Sequence, residues 1–357
     1  MYKLKRIVMS FARYDVERRS TKSSIFYNQI NAIIDWKKIE KVINVYYTKA
    51  DNLEGRPAYK GILLFKMLLI GIWNNLSDER TELMVNDSLS AMRFCGLYLE
   101  DTVPDHSTLS RFRSELTDKK AMDKLLVWIN KQLESQKVIV HTGVKVDASI
   151  IESPRKPKGS ITYQLAEDRK EDQVAQAEID KQSSELKRLQ GKGVDSEARW
   201  LKKGGRSIFG FKQQTAVDEN GLVVGLHTVA ANEHDSKGLE KLINKLPAKY
   251  TRDGVYADKG YKVPSNDDLL KKKTIKNRIM HRAYRNRPLS PWQVKFNSLI
   301  SKSRWVVERT FGSIKKWFGG STTRYRGLDK THTQHVLQAI CYNLKRSPGI
   351  IVSNSLK

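Results

Sequence analysis

The spacing of apolar residues changes character once along this chain, and that change limits the folds open to it. From Ser24 to about residue 136 apolar residues recur at helical intervals, and from Val138 onward short β-branched runs take over. Phe26, Ile30, Ile33, Ile34 and Ile39 predict a helix over Ser24–Val45, and a second follows over Tyr59–Asn74. Ser77 opens a third, with Asp78 and Glu79 in the first turn where the helix dipole favours acids. A short helix over Leu89–Cys95 stops at Gly96. Pro104 interrupts the chain, Asp105 or Ser107 opens a helix carrying Arg111 and Arg113, and Met122, Leu125, Ile129 and Leu133 mark another. Beyond these, Val138–Val140 and Val144–Ile150 read as strands, with Val144 and Val146 on one face and Lys145, Asp147 and Ser149 on the other. Phe209–Val217 and Leu222–Thr228 read as hairpin strands joined by Asp-Glu-Asn-Gly. Lys237–Leu246 is helical, and Gly254–Ala257 is a short buried strand ending at Asp258. Helices at Ser303–Phe318 and Thr331–Lys345 close the pattern.

The order predicts two domains: an all-helical one over residues 1–137 and a mixed α/β one over 138–347, leaving 348–357 as a tail. A charged segment at about 160–203, helical over Gln164–Gln190, reads as a solvated excursion from the second domain. A length of 357 residues agrees with more than one core.

Charge narrows the partners. Lys and Arg total 65 against 39 Asp and Glu, a net charge of +26 spread along the chain. Such a surface suits a polyanion, with nucleic acid first and an anionic membrane surface second. The most apolar run, Ile62–Trp73, contains Lys66 and is too short to span a bilayer. The N-terminus has no secretory signal, and Cys95 and Cys341 have no metal-binding or disulfide spacing. A cytoplasmic, nucleoid-associated protein with reduced thiols is expected.

The acids carry the chemistry. Asp147 lies in the first strand of the α/β domain, Asp258 just past a short apolar strand, and Glu308 on the helix S-R-W-V-V-E-R-T-F-G-S-I-K-K-W-F. At 100° per residue, Arg304, Glu308 and Lys315 share one face of that helix within about 40°. Val307, Phe311, Ile314 and Phe318 form a separate stripe that suits a core. By itself the helix reads as a surface element with an i,i+4 ion pair. Three carboxylates brought together form an oxygen-only site, the kind that hard divalent cations choose.

The chain resembles the DDE transposases of the insertion-sequence-5 family. The resemblance rests on V-D-A-S-I-I-E-S-P (146–154), F-G-F-K-Q-Q-T-A-V-D (209–218), A-N-E-H-D-S (231–236), Y-A-D-K-G-Y (256–261) and R-W-V-V-E-R-T-F-G-S-I-K-K-W (304–317). Arg304, Glu308 and Lys315 match the family's helix signature, and Ser301 stands where that signature has a tyrosine. The resemblance covers roughly residues 55–345. It implies a ribonuclease-H-like catalytic domain, a mixed sheet flanked by helices, behind a helical N-terminal domain. It implies Asp147, Asp258 and Glu308 as catalytic and metal-binding residues, Mg²⁺ or Mn²⁺ with two ions per site, and 3′-hydroxyl generation and strand transfer. The partners implied are double-stranded DNA at terminal inverted repeats and at the target, with a homodimer or larger assembly in synapsis. The 50 residues from Asp258 to Glu308 leave little room for a large insertion there, so that segment should be short, basic and partly helical.

Several residues keep two readings. Lys315 and Lys316 contact phosphate or are solvated; Arg304 contacts DNA or pairs with Glu308. The clusters Arg155, Lys156, Lys158 and Lys202, Lys203, Arg206 are DNA contacts or basic turns. Lys212, Arg111 and Arg113 are candidate DNA contacts, the last two on a recognition helix or on a packing helix. Trp305 and Trp317 close a core or stack on a displaced base. His234-Asp235 caps a helix, through Asp235 or Ser236, or acts as a base with its orienting acid. Two alternative functions remain at this level: a non-catalytic DNA-binding regulator and a structure-selective nuclease.

Overall fold

The computed structural model describes residues 21–47, 58–157 and 193–356. The chain divides into two compact units, residues 1–139 with 339–357, and residues 140–338.

The first unit is helical: α1 (Lys22–Ile33), α2 (Trp36–Tyr46), α3 (Gly61–Trp73), α4 (Asp78–Asp87), α5 (Leu89–Cys95), α6 (His106–Asp118) and α7 (Ala121–Ser135). The helix expected over Ser24–Val45 is two helices, because the Asp35 side chain accepts from Lys37 N and starts a new one. Ser77, Ser88 and Asp105 cap their helices through side-chain oxygens, and Gly96 ends α5 at φ 79°. Helix α3 is buried nearly all round, as its apolar sequence requires. Lys66 on it lays its ammonium over the rings of Trp36 (4.6 Å) and Phe94 (4.9 Å). Both cysteines, Cys95 and Cys341, are buried free thiols in this unit.

The last helix, α11 (Leu328–Ser355), exceeds the expected Thr331–Lys345 at both ends. Its residues from Ala339 on belong to the helical unit, so residues 348–355 are not a tail and the α/β unit ends at Gln338. Burial explains the extension: Leu344 and Ile350 carry the packed face past Pro348. Trp73 Nε1 donates to Cys341 O (3.0 Å), and Asn343 Nδ2 donates to Asn130 Oδ1 (2.9 Å) in the same interior.

The second unit is built on a six-stranded sheet: β1 (Val144–Glu152), β2 (Arg199–Lys203), β3 (Arg206–Val217), β4 (Val223–Ala230), β5 (Val255–Ala257) and β6 (Asn277–Ile279). The order β4-β3-β1-β5-β6 is antiparallel among its first three strands and parallel from β1 to β6, while β2 pairs with the first half of β3. This mixed order is ribonuclease-H-like. Helices α8 (Gly238–Lys245), α9 (Pro264–Lys272) and α10 (Pro291–Phe318) complete the unit. Helix α10 packs on β1, β3 and β5, and α8 on β3 and β4.

Val138–Val140 is not a strand. Val138 and Ile139 are buried in the connection, and Val140 N donates to Asp218 Oδ2 (3.0 Å) instead of to a ladder. The glycine pair Gly204-Gly205, at φ 57° and 77°, makes the turn between β2 and β3. The excursion over Gln164–Gln190 and residue Lys158 lie outside the described residues.

Candidate active site

Strand register brings two of the three acids together. Parallel pairing sets Val144 opposite Val255 and Lys145 opposite Tyr256, and carrying that register on places Asp147 beside Asp258. Asp258 ends its strand and caps the following turn, its Oδ1 accepting from Gly260 N (2.9 Å). Asp147 Oδ1 accepts from Ala148 N (2.8 Å), which turns Oδ2 toward α10. There it accepts from Arg304 Nη2 at 2.9 Å, and the same nitrogen stands 3.9 Å from Glu308 Oε1.

The β3–β4 hairpin seats α10. Thr310 Oγ1 donates to Gly221 O (2.8 Å) and Arg309 Nη2 to Asn220 O (2.9 Å). Gly221 holds φ 83°, and a Cβ there would stand 2.9 Å from Arg309 Nη2 and 3.1 Å from Thr310 Oγ1, so glycine alone fits. Val307, Phe311, Ile314 and Phe318 are buried, the stripe their spacing predicts. The helix starts a full twelve residues before Ser303, at a Ser290/Gln293 capping box with Pro291 in the first turn.

Electrostatics at the acids are strained. Burial pushes the Asp147 carboxyl above the usual carboxylate range, Arg304 and the Ala148 N–H oppose that shift, and the charge on Asp258 adds to it. Tyr261, fully buried behind the pair, is raised well above the usual phenol range by burial and then by Asp147, Asp235 and Asp258. Its hydroxyl has no hydrogen-bond partner among the described residues.

Among the described residues no three Asp, Glu, His or Cys side chains are gathered closely enough to hold a metal ion. Arg304 stands between Asp147 and Glu308, where its guanidinium takes the part of a cation shared by two carboxylates. The donor set of Asp147, Asp258 and Glu308 is oxygen-only and fits a hard divalent cation in its chemistry.

The other predicted contacts separate. Lys315 is half-buried, and burial followed by the charge of Lys203 lowers its pKa, which puts these two lysines in one field. Lys202, Lys203, Arg206 and Lys316 are exposed, as are Arg155 and Lys156 past the end of β1, the latter 4.0 Å from Glu152. Arg304 faces Asp147 first and Glu308 second, a partner that helix spacing could not reveal. Lys212 departs from its expected role: it is buried, with Nζ 2.7 Å from Asp235 Oδ1 and bonded to Glu233 O. Arg113 departs likewise, buried and bidentate on Asp78 at 2.8 and 2.7 Å. Arg111 is exposed on the same helix and, among the described residues, is bonded within it, to Ser107 (3.4 Å) and Thr108 (3.1 Å).

Trp305 does not close a core. It is 55% exposed, with the Arg309 guanidinium 4.6 Å over its ring, three residues before Glu308; Trp317 is half-buried. His234, not Asp235 or Ser236, caps the turn Asp235–Lys237, and Asp235 serves Lys212. The sequence reading also passed over Tyr261, whose only signal was its place three residues after Asp258.

The sheet is ribonuclease-H-like, with Asp147 on its central strand β1, Asp258 just past the parallel strand β5 and Glu308 on the late helix α10. Residues 140–344 match the family described as Transposase DDE domain, and residues 14–115 match Transposase domain (DUF772). The chain is 37% identical over 239 residues to the transposase for insertion sequence element IS1106 of Neisseria meningitidis serogroup B, covering 66% of this chain and 76% of that protein. No solved structure matches the chain. The chain belongs to the DDE transposase family and is a DNA transposase, with DNA as its substrate and a family dependence on divalent metal. No helix among the described residues is long and apolar enough to cross a membrane.

Proposed function

We propose that Asp147, Asp258 and Glu308 are the catalytic carboxylates of an insertion-sequence-5-type transposase, which recognises terminal inverted repeats, frees 3′-hydroxyls at the element ends and joins them to target DNA. The observation that carries this reading is the lateral placement of Asp147 and Asp258 on neighbouring parallel strands, with Arg304 linking Asp147 to the Glu308 helix. The carboxylates would hold Mg²⁺ or Mn²⁺, two ions per site, which supply Lewis acidity toward the attacking and departing oxygens. Asp147 contributes from within β1 and Asp258 from just past the end of β5. Glu308, with a side chain 62% exposed, contributes from the face open to substrate.

Arg304 neutralises Asp147 and Glu308 in the free protein and turns to a DNA phosphate when those carboxylates are engaged. Lys315, Lys203 and Lys316 hold the strand near α10, with Lys202, Arg206, Arg155 and Lys156 extending the positive surface. Arg111 serves the helical unit, whose role is DNA binding or dimerisation. Synapsis of two ends calls for a homodimer or larger assembly, one active site per end, working on nucleoid DNA in the cytoplasm.

The test is cleavage and strand transfer on DNA carrying the element's own terminal repeats with Mg²⁺. Asp147→Asn, Asp258→Asn and Glu308→Gln should each lower cleavage by more than about a hundredfold. Full activity in all three variants overturns the assignment. Cleavage of branched DNA without joining would favour the structure-selective nuclease, and specific binding without cleavage the regulator.

A further inference from the structure

Between Asp258 and Glu308 the chain builds a surface that the catalytic reading leaves unused. From Leu269 to Val307 there is no Asp or Glu, while Lys and Arg recur throughout. Its second half is firmly constructed. Tyr284 and Arg287 exchange backbone hydrogen bonds (3.2 and 3.0 Å) around a two-residue turn in which Asn286 holds φ 61°. Asn297 of α10 clamps the neighbouring chain, its Oδ1 accepting from His281 N (2.7 Å) and its Nδ2 donating to His281 O (3.0 Å). The His281 ring packs on Trp292 (5.6 Å) and Phe296 (5.2 Å), and Trp292 stacks on Phe296 at 5.3 Å and 24°.

That support leaves Trp292 64% exposed, and Tyr284 is exposed as well. Arg282, Arg285, Arg287 and Lys295 are exposed too, and among the described residues none of the four makes an ion pair. A rigid indole with one face backed and the other near solvent suits a flat, unstacked ring, and uncommitted guanidinium groups suit phosphates. A second copy of this chain is disfavoured as the occupant, because it would bring an equally acid-free surface against this one. A duplex would engage the arginines but hides its base faces in the stack, leaving Trp292 idle.

We propose that this ledge, Arg282 to Arg287 with Trp292, binds a single strand of DNA, seating a base on Trp292 and the backbone on Arg282, Arg285 and Arg287. Trp292 precedes Glu308 by 16 residues on one helix, which places the ledge about 24 Å from that acid along the axis. The strand it holds is therefore one displaced from the scissile phosphate. Single-strand binding at the ledge uses only DNA as partner and does not depend on which acids are catalytic; the strand's distance from the scissile phosphate rests on Glu308 being one of them.

The experiment measures fluorescence anisotropy of the full-length protein, in chelator, with labelled oligothymidylate and with a duplex of equal length. Trp292→Ala should weaken oligothymidylate binding about tenfold and duplex binding less than about twofold, and Trp292→Phe should restore most of the loss. Arg282→Ala, Arg285→Ala and Arg287→Ala combined should weaken both probes. Light scattering should give the same mass for native and Trp292→Ala protein. Unchanged oligothymidylate affinity in Trp292→Ala, or equal losses on both probes, overturns the single-strand assignment. A lower mass for that variant assigns the ledge to a self-interface instead.

Discussion

Arg304 reaches across from its own helix to Asp147, with Nη2 2.9 Å from Oδ2, closer than it stands to Glu308 one turn away at 3.9 Å. The residue that the helix pattern pairs with Glu308 is thus held first by the central strand. Its side chain is only 16% exposed, and its Nε is buried without a partner among the described residues. A cation so placed competes with any other cation for the same oxygens.

Arg304→Ala should therefore raise the affinity of the free protein for Mn²⁺ by about tenfold, since one charge-assisted hydrogen bond no longer opposes it. Electron paramagnetic resonance of Mn²⁺ titrated into protein without DNA measures this directly. The same variant should bind duplex DNA more weakly. Unchanged Mn²⁺ affinity would mean that Arg304 does not compete for the site.

Asp218 predicts a pH dependence. Burial pushes its carboxyl up to about 7, against donation from the N–H groups of Val140 and Leu222 and the charge of Lys145. The folded protein then holds a proton that the unfolded chain releases near pH 4, so between those values the native state binds more protons. Stability should be fullest below about pH 4 on this account and should fall as pH rises toward 7, by roughly 4 kcal/mol. Urea unfolding of native protein and Asp218→Asn at pH 5 and pH 8 tests it, and the variant should show a flatter difference.

Arg113 and Arg111 sit two residues apart on α6 and should behave oppositely. Arg113→Ala leaves Asp78 without its bidentate partner and should cost about 3 kcal/mol in stability. Arg111→Ala should leave the melting temperature nearly unchanged and weaken DNA binding, with less dependence on salt. Equal loss of stability in both would remove Arg111 from the DNA surface.

What could be read ahead of the structure was what local chemistry decides. Ser77, Asp105 and Gly96 end their helices because capping is settled within a few residues. The 218–221 hairpin and the stripe from Val307 to Phe318 follow from turn chemistry and period. Partners distant in sequence were not legible. Nothing near Lys212 announces Asp235, nor does anything near Arg113 announce Asp78, and a basic residue looks the same in sequence whether it is buried in a pair or bare. The start of α10 was legible in Ser290-Pro291 and Gln293 but was masked by a first turn without a core pattern. The sequence puts Asp147 in a strand and Asp258 just past one, yet only the parallel register sets them side by side.

The two cysteines carry a practical consequence. Cys95 and Cys341 are the whole thiol content of the chain, and both are enclosed. Burial pushes the Cys95 thiol up to about 12 and raises the Cys341 thiol well above its ordinary value, so neither offers a thiolate to a maleimide at neutral pH. The native chain is a silent background for thiol labelling. A single cysteine introduced by Ala283→Cys, at an exposed position between Arg282 and Tyr284, would carry the only reactive sulfur, and a dye there would report a strand arriving on the ledge while Arg282, Arg285, Arg287 and Trp292 are all kept.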